Sequence, residues 1–202
     1  MTAPSDPPEA APELSVRLLD SATWPDFAAL VERHSGVWGG CWCMAFHAEG
    51  AGSGTTPEQH RQQKECRVRE GRAHAALVYR GPICVGWCQF GSPDELPRIK
   101  RRRAYQEGLS ALPDWRITCF FVDRTARRQG VATAALRGAL EAIARLGGGM
   151  VESYPEDVTG RSVASGFIHN GSVAMFERQG FERQRRIGKH SWVVARVVAP
   201  QD

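Results

Sequence analysis

The fold is decided by four consecutive segments of residues 117–149: ITCFFV at 117–122, DRTARRQ at 123–129, GVATAALRGALEAIARL at 130–146 and GGG at 147–149. The first is apolar and rich in aromatic and β-branched residues, which predicts a buried strand. In the third, Leu136, Leu140 and Ile143 recur at helical spacing, with charged residues on the other side, which predicts an amphipathic helix. The glycines end this helix, because glycine adopts the left-handed conformation without steric cost.

A basic loop joins the predicted strand to the predicted helix. A strand that enters a helix through a short loop leaves unpaired N–H groups at the helix N-terminus, backed by the positive end of the helix dipole. Such a place binds anions and suits phosphate best. Gly130 lets the backbone approach a ligand, Ala132 keeps the first turn clear, and Arg127 and Arg128 add charge. The bland alternative, a helix start with solvated arginines, does not explain why these features occur together.

The pattern Arg-x-x-Gly-x-Ala at 127–132 resembles the pyrophosphate loop of the GNAT superfamily of acetyl-CoA-dependent N-acetyltransferases. Downstream, MFERQGF at 175–181 is similar to the late helix of that family and its Gly-Phe exit, and the spacing fits. The resemblance covers about residues 14–199. It implies an α/β fold with a mixed, mostly antiparallel sheet of about six to seven strands, splayed at the centre and flanked by helices on both faces.

The resemblance also implies acetyl-CoA as co-substrate. In the family, the pantetheine arm lies in the cleft where the central strands splay apart. The residues it assigns to the cofactor here are Phe121, Val122, Arg127, Arg128, Gln129, Gly130, Val131, Ala132, Thr133 and Phe176.

In many members of the family, a tyrosine on the late helix acts as the general acid that protonates the leaving thiolate. Here Phe176 occupies the position of that tyrosine. The usual acid is therefore absent, and Tyr154 replaces it or the thiolate leaves unassisted. The position of the family's upstream asparagine holds His169, with Asn170 one place off. We take Glu152 as the first candidate for the general base, because strand alternation places it on the same face as Tyr154. The alternative is a structural carboxylate paired with an arginine.

Composition indicates one globular domain at residues 14–199, preceded by a tail at residues 1–13 that we expect to be disordered, since it is rich in proline, alanine and acid. No apolar run approaches membrane-spanning length, and no hydrophobic segment of a secretory signal follows the N-terminus. Six cysteines without a signal indicate reduced thiols, so we expect a cytoplasmic protein.

The segment SGVWGGCWCMAF at 35–46 sets glycines beside large aromatic residues, which favours a loop that lines a pocket. Its Cys41 and Cys43, with His47 and His34, could be metal ligands. A structural zinc site usually shows two paired Cys or Cys/His motifs, which this segment lacks. We therefore favour small buried thiols and expect no metal.

Other segments complete the predicted fold. Strands are expected at 14–18, 75–79 and 83–90, the last two as a hairpin that places Cys84, Gly86 and Cys88 on one face. Gly86 indicates either a bulge or a close approach by another chain or a ligand. A strand at 149–154, a helix at 172–179 and a hairpin of strands at 181–187 and 192–198 follow the central helix.

Two further helices are predicted between the strand at 14–18 and the hairpin at 75–90. Thr23 is the expected N-cap of the first, with Asp26 three residues on. Thr56 begins the second, with Gln59 in a capping box. This second helix has only Cys66 and Val68 to bury, so it is a mobile lid or a solvated surface helix.

A basic cluster at 98–103 contains Arg98, Lys100, Arg101, Arg102 and Arg103. We favour a solvated face. The alternatives are nucleic-acid binding and a grip on the coenzyme A 3′-phosphate or on an acidic substrate.

The leading hypothesis is direct acetyl transfer from acetyl-CoA to a primary amine of a small molecule or protein. The alternative is an acetyl-CoA-sensing regulatory or nucleic-acid-binding module without turnover. A net charge of +4 does not by itself imply nucleic acid. We expect no membrane partner and no nucleic-acid partner, and we leave a homodimer open.

Overall fold

The computed structural model describes residues 13–52, 54–163 and 168–201, so the expected tail at residues 1–12 lies outside the described residues. One sheet of seven strands, with helices on both faces, forms the described structure. In chain order the elements are β1 (Leu14–Leu18), α1 (Trp24–Arg33), α2 (Pro57–Arg69), β2 (His74–Arg80), β3 (Ile83–Gly91), α3 (Arg102–Glu107), β4 (Trp115–Val122), a 3₁₀ turn (Arg124–Ala126), α4 (Val131–Arg145), β5 (Gly149–Ser153), α5 (Val173–Glu177), β6 (Glu182–Arg186) and β7 (Trp192–Val198).

The strand order is β1-β2-β3-β4-β5-β7-β6. Every neighbouring pair is antiparallel except β4 and β5, which are parallel. Parallel neighbours need a crossover, and α4 supplies it. The predicted mixed, mostly antiparallel sheet of six to seven strands is confirmed.

β4 and β5 diverge at the centre of the sheet. They pair only at Trp115 with Val151, Arg116 with Glu152, and Ile117 with Ser153. β4 continues for five more residues to Val122 without β5 beside it. A loop residue takes up part of the gap, since the carbonyl of His169 accepts the N–H of Phe120 at 2.6 Å. The predicted splay is therefore confirmed, and it opens a wedge beside β4.

Two layers of helices cover the sheet. The apolar faces of α4 and α5 pack on one side in a cluster with residues of β2 to β5 and β7. On the other side, α1 and the loop of residues 35–46, which we call the aromatic loop, form a second cluster with β2, β3 and β4. On this side α3 packs beside Tyr154 and Val193. The predicted α4 forms one residue inside each expected end, and its buried side includes Leu136, Leu140 and Ile143.

α1 begins differently from the prediction. Thr23 already has near-helical dihedrals, and its hydroxyl donates to the carbonyl of Leu18 at 2.8 Å instead of capping the helix. The Asp20 carboxylate accepts the N–H groups of Ala22 and Thr23, both at 2.8 Å. Thr23 therefore occupies the predicted N-cap position, but its side chain does not cap the helix, because its hydroxyl is bonded to Leu18.

A bulge in β3 corrects the predicted strand faces. Val78 pairs with Gly86 and Tyr79 pairs with Cys84, so Val85 is an extra residue on β3. Cys84 consequently packs in the cluster under α1, whereas Cys88 packs under α4. The prediction that Cys84 and Cys88 share a face is wrong, because a bulge shifts the alternation by one residue.

The predicted bulge lies at Val85, directly before Gly86, and the segments that approach Gly86 closely belong to this same chain. A Cβ there would lie 2.7 Å from the carbonyl oxygen of Phe121 and 2.7 Å from Cγ1 of Val131. Glycine therefore lets β3 lie against both β4 and the first residue of α4.

α2 carries the predicted capping box, in which Thr56 and Gln59 bond reciprocally to each other's backbone. Its buried side is polar, however: Lys64 and His60 are buried with Val68, whereas Cys66 is exposed. The prediction that Cys66 is buried is wrong. Hydrophobicity alone could not identify this buried face, because its polar side chains find hydrogen-bond partners in distant parts of the chain.

The C-terminal elements follow the predicted order. α5 is shorter than expected, with Ser172 as its N-cap, and the hairpin of β6 and β7 turns at residues 187–191. α5 places Met175 beside the wedge between β4 and β5, and Phe176 packs behind it against Phe120 and Phe181.

Candidate active site

Asp123 anchors the loop that follows β4. Its carboxylate accepts the N–H of Thr125 at 3.0 Å and lies 3.2 Å from both the Arg33 guanidinium and the His34 ring. Burial opposes ionisation, but these hydrogen bonds and the positive charge outweigh it and hold the pKa of Asp123 well below its usual value. The carboxylate therefore stays charged and ties the loop to the end of α1.

The N-terminus of α4 is open towards this loop. The first helical hydrogen bond runs from the N–H of Ala134 to the carbonyl of Gly130, at 2.9 Å. The N–H groups of Val131, Ala132 and Thr133 come before it and have no acceptor within the helix. Gly130 has φ +80°, and no heavy atom lies within 4 Å of the position that a Cβ would take. The backbone here is left-handed and uncovered, as an anion-binding turn requires.

Gln129 braces the loop from outside. Its amide oxygen accepts a hydrogen bond from Arg80, and its amide nitrogen donates to the carbonyl of Thr125 at 3.1 Å. Arg127 and Arg128 beside it are exposed.

A cavity of about 490 Å³ leads from this loop into the wedge. It is lined by Trp38, Phe120, Phe121, Val122, Arg127, Arg128, Ala132, Val163, Ile168, Gly171, Ser172 and Met175. Five residues assigned to the cofactor by resemblance therefore meet in one place: Phe121, Val122, Arg127, Arg128 and Ala132.

Phe176 lies elsewhere. It has no exposed surface, and its ring packs edge-on against Phe120 at 5.9 Å and Phe181 at 4.9 Å. Its neighbour Met175 lines the cavity instead.

A second cavity, of about 470 Å³, lies beyond Trp38. We call it the inner cavity; it is lined by Trp38, Cys41, Cys43, Ala45, Phe46, Ala51, Arg98, Ile99, Lys100, Cys119 and His169. Trp38 borders both cavities, and its ring lies 6.3 Å from Phe121 and 6.1 Å from His169. The prediction that the glycine- and tryptophan-rich loop lines a pocket is confirmed.

Glu152 and Tyr154 do share a face of β5. The buried carboxylate of Glu152 accepts hydrogen bonds from the hydroxyls of Tyr105, at 2.8 Å, and Tyr154, at 3.2 Å. Glu152 is not among the described residues that line either cavity. Tyr154 borders a space of about 10 Å³ that it shares with Lys100 and His169 of the inner cavity. Burial raises the pKa of Tyr154 well above its usual value, so its hydroxyl keeps its proton.

The family model that describes the GNAT family of acetyltransferases matches residues 42–181, more than two thirds of the chain. The chain belongs to the GNAT acetyltransferase family.

Solved structures show the same fold at low sequence identity. A mosquito arylalkylamine N-acetyltransferase like 5b is 13% identical, with a TM-score of 0.55, over 92% of this chain and all of that one. A Corynebacterium glutamicum protein described as histone acetyltransferase HPA2 and related acetyltransferase is 14% identical, with a TM-score of 0.53, over 94% and 97% of the two chains. The Salmonella typhimurium protein yncA, solved with its cofactor acetyl-CoA, is 12% identical, with a TM-score of 0.52, over 93% and 95%. No curated protein matches the sequence significantly.

The residues of the basic cluster at 98–103 lie in three different environments in this GNAT acetyltransferase. Arg98 and Lys100 line the inner cavity. Arg101 hydrogen-bonds Ser191 and lies 3.6 Å from the Glu156 carboxylate. The remaining two arginines are exposed on α3. The preferred interpretation, a solvated face, holds for α3, and Arg98 and Lys100 are exposed as well as lining the inner cavity.

The residues 13–52, 54–163 and 168–201 of this GNAT acetyltransferase contain no group of three or more His, Cys, Asp or Glu that could hold a metal ion. His34 contacts Asp123, and His47 lies against Lys64 and the carbonyl of Glu95. In the same residues no helix is long and apolar enough to cross a membrane.

Sequence reasoning missed several residues of the site. Met175 stands one place from the predicted Phe176, an offset that helix packing decides. Cys119 lies within the predicted strand, but nothing local shows that its side chain enters a cavity. The sequence pattern identifies Lys100 only as a member of the basic cluster and does not show that it lines the inner cavity.

Proposed function

We propose that the protein transfers an acetyl group from acetyl-CoA to a primary amine by direct attack. One observation carries the proposal: the uncovered N-terminus of α4 leads through a cavity along β4 to a second cavity beyond Trp38. One cavity suits the cofactor and the other suits the acceptor.

The amides between Arg128 and Thr133 would hold the diphosphate of acetyl-CoA, with Arg127 and Arg128 adding charge. The pantetheine arm would then follow the part of β4 that β5 leaves unpaired, past Phe121 and Met175. In this arrangement Phe176 supports the cavity wall from behind rather than contacting the ligand.

Direct transfer needs no covalent enzyme intermediate, but it does need a group that accepts the proton of the amine. The amine nitrogen attacks the thioester carbonyl, the C–N bond forms, and the C–S bond breaks to release the thiolate of coenzyme A. The nitrogen must lose a proton in the process. We assign that proton to Glu152, reached through Tyr154: the phenol receives a proton from the amine or a bridging water as it passes its own to the carboxylate. The 3.2 Å hydrogen bond and the water-sized space beside Tyr154 support this route.

The lining of the inner cavity favours an acceptor that also carries negative charge. Arg98 and Lys100 face it, and no carboxylate is among its described lining residues. Trp38, Phe46 and Ile99 add apolar surface. We therefore expect amines with a nearby acidic group, such as amino acids or acidic peptides, to be better substrates than simple alkylamines.

A panel of amines, each incubated with acetyl-CoA and the protein, tests the function through release of free thiol. Each amino acid is paired with its decarboxylated amine, so that only the acidic group differs. Faster release with the acidic partner supports the acceptor class. Binding of acetyl-CoA without turnover of any amine would favour the sensing module instead.

The cofactor site is tested by Gly130→Val. The branched side chain would fill the space proposed for the diphosphate, and we expect calorimetry to show at least a tenfold loss of acetyl-CoA affinity, about 1.4 kcal/mol. Gly71→Val is the matched control, because Gly71 also has positive φ (+67°) and open space around the Cβ position, but lies at the end of α2. Equal affinity for acetyl-CoA in the two variants would refute the assignment.

A further inference from the structure

Three of the six cysteines line the inner cavity, and they come from two separate segments. Cys41 and Cys43 belong to the aromatic loop, and Cys119 belongs to β4. Cys43 and Cys119 line the same cavity, close enough for each thiol to shift the pKa of the other. The acetyl transfer proposed above uses none of these thiols.

Behind the thiols lies a buried lysine. Lys64 is only 1% exposed, and its ammonium nitrogen lies 3.0 Å from Nε2 of His47 and 3.5 Å from the amide oxygen of Gln89. Within the described part of the chain, no carboxylate pairs with Lys64. A buried ammonium needs a compensating negative charge. Burial lowers the pKa of Lys64, and the negative charges that Cys43, Glu95 and Cys119 can carry oppose that shift, with Cys43 acting most strongly among the three.

Several groups favour an anion at Cys43. Burial opposes ionisation, but the hydrogen bond from Cys119 and the charge of Lys64 hold the pKa of Cys43 below its usual value. The indole N–H of Trp87 is buried without another partner in the described residues and lies within reach of the same sulfur.

The four cysteines other than Cys43 and Cys119 have raised thiol pKa values. Cys66 is exposed, but its thiol donates to the Glu70 carboxylate at 3.1 Å, and that bond raises its pKa. Burial raises the pKa of Cys84, to about 12, and of Cys88. Burial and the charge of Cys43 raise that of Cys41. The chain therefore offers an exposed thiol and several buried thiols for comparison.

We propose that Cys43 and Cys119 form a peroxide-reactive thiol pair in the wall of the inner cavity. The Cys43 thiolate attacks a hydroperoxide: an S–O bond forms, the O–O bond breaks, and hydroxide or alkoxide leaves and takes up a proton. Cys119 then attacks the sulfenic sulfur, so that an S–S bond forms and water leaves. Two thiols lose two electrons, and one hydroperoxide is reduced to water and a second water or an alcohol.

The pair is tested on the full-length reduced protein with a few equivalents of hydrogen peroxide at pH 7. Remaining thiols are alkylated, and peptides are mapped by mass spectrometry. We expect a disulfide between Cys43 and Cys119 while Cys66 stays alkylated, although Cys66 is the more exposed. Oxidation of Cys66 before Cys43, or a disulfide between other partners, would overturn the proposal.

Lys64→Met tests the source of activation, because methionine keeps the length of the side chain and removes the charge. Without the charge of Lys64 the pKa of Cys43 should rise and its thiolate fraction should fall, so we expect disulfide formation to slow by roughly tenfold. Lys100→Met is the matched control, since Lys100 also faces the cavity but from the solvent side, and it should keep the wild-type rate of disulfide formation. Equal rates in the wild type and Lys64→Met would contradict the role of Lys64.

Two smaller substitutions decide the question even if Lys64→Met does not fold. Cys119→Ser should stop the reaction at a sulfenic acid on Cys43, which dimedone labels. Cys43→Ser should leave Cys119 reduced. Dimedone labelling of Cys119 in Cys43→Ser would reverse the assignment, because Cys119 would then be the thiol that attacks the peroxide. Absence of dimedone from Cys43 in Cys119→Ser would refute the pair. These readouts do not need an acceptor amine, so they stand apart from the test of acetyl transfer.

Discussion

At the level of single residues, the proton route depends on a carboxylate shared by two phenols. Tyr105 and Tyr154 both donate to the same oxygen of Glu152, and their rings meet edge-on at 5.4 Å. The two hydroxyls differ in what lies beyond them. Tyr154 borders a water-sized space next to His169, whereas Tyr105 belongs to α3 and faces a separate surface pocket. The pair therefore allows one phenol to be removed while the other serves as control.

Tyr154→Phe should lower kcat by about 10²–10⁴-fold and leave acetyl-CoA affinity unchanged, because it removes the step between the amine and Glu152. Glu152→Gln should have a similar effect, and the double variant should lose little more, since both residues act in one route. Steady-state kinetics and calorimetry measure these effects.

Tyr105→Phe is the control for both variants. It removes the shorter hydrogen bond to Glu152 but lies outside the route, so we expect a loss of kcat below tenfold. If Tyr105→Phe and Tyr154→Phe lose the same activity, the phenols only support the carboxylate and the proton leaves elsewhere.

At the level of elements, the position of α4 sets the geometry of the cofactor site. Two glycines let this helix lie close to the sheet. Gly86 in β3 faces Val131 at its first turn, and Gly138 in its middle lies over Val16 of β1, where a Cβ would come within 2.4 Å of Cγ1. The contact of Gly86 with Val131 positions the helix N-terminus that we propose to bind phosphate. The contact of Gly138 with Val16 positions the middle of the helix, away from that site.

Gly86→Ala should destabilise the fold by about 1–3 kcal/mol, because overpacking forces strand and helix apart. It should also weaken acetyl-CoA binding, since the first turn of α4 must shift. Gly138→Ala introduces a similar clash farther along the same helix, so it should destabilise the protein without weakening acetyl-CoA binding at temperatures where it is folded. Urea unfolding and calorimetry separate the two effects. Unchanged acetyl-CoA affinity in Gly86→Ala would mean that the β3 contact does not position the helix N-terminus.

At the level of the whole molecule, a buried polar network joins α2, the aromatic loop and β3. His47 has no exposed surface, and its ring lies between the carbonyl of Glu95 and the ammonium of Lys64. Burial and the charges of Lys64 and Arg67 lower the pKa of His47 to about 2. The folded protein therefore keeps this ring neutral, with Nδ1 donating to Glu95.

This network predicts a loss of stability in mild acid. Below the unfolded pKa of about 6.5, the unfolded chain binds a proton that folded His47 refuses, so the free energy of unfolding falls by up to about 1.4 kcal/mol per pH unit. Above that pH the His47 ring is neutral in both the folded and the unfolded state, so it does not make the free energy of unfolding depend on pH. His47→Asn should remove this part of the slope between pH 6.5 and 5, as measured by urea unfolding. Parallel pH profiles of the two proteins would show that His47 takes up its proton without unfolding.

The sequence by itself determined the parts of this protein that depend on local patterns. The strand at 117–122, the basic turn and the alanine-rich helix form as predicted, because apolar spacing and glycine conformations act over a few residues. The capping box of Thr56 and Gln59 is equally local. The same stretch gave the family resemblance, which the family model confirms.

Tertiary structure decided which side chains meet. The extra residue Val85 moved Cys84 and Cys88 to opposite faces, since one inserted residue reverses alternation. Lys64 became buried because His47 and Gln89, far away in sequence, supply its hydrogen bonds. Cys43 and Cys119 are 76 residues apart in the chain, and only the packing of the aromatic loop on β4 brings their sulfurs together. Contacts of this kind depend on where separate elements come to rest, which no local pattern encodes.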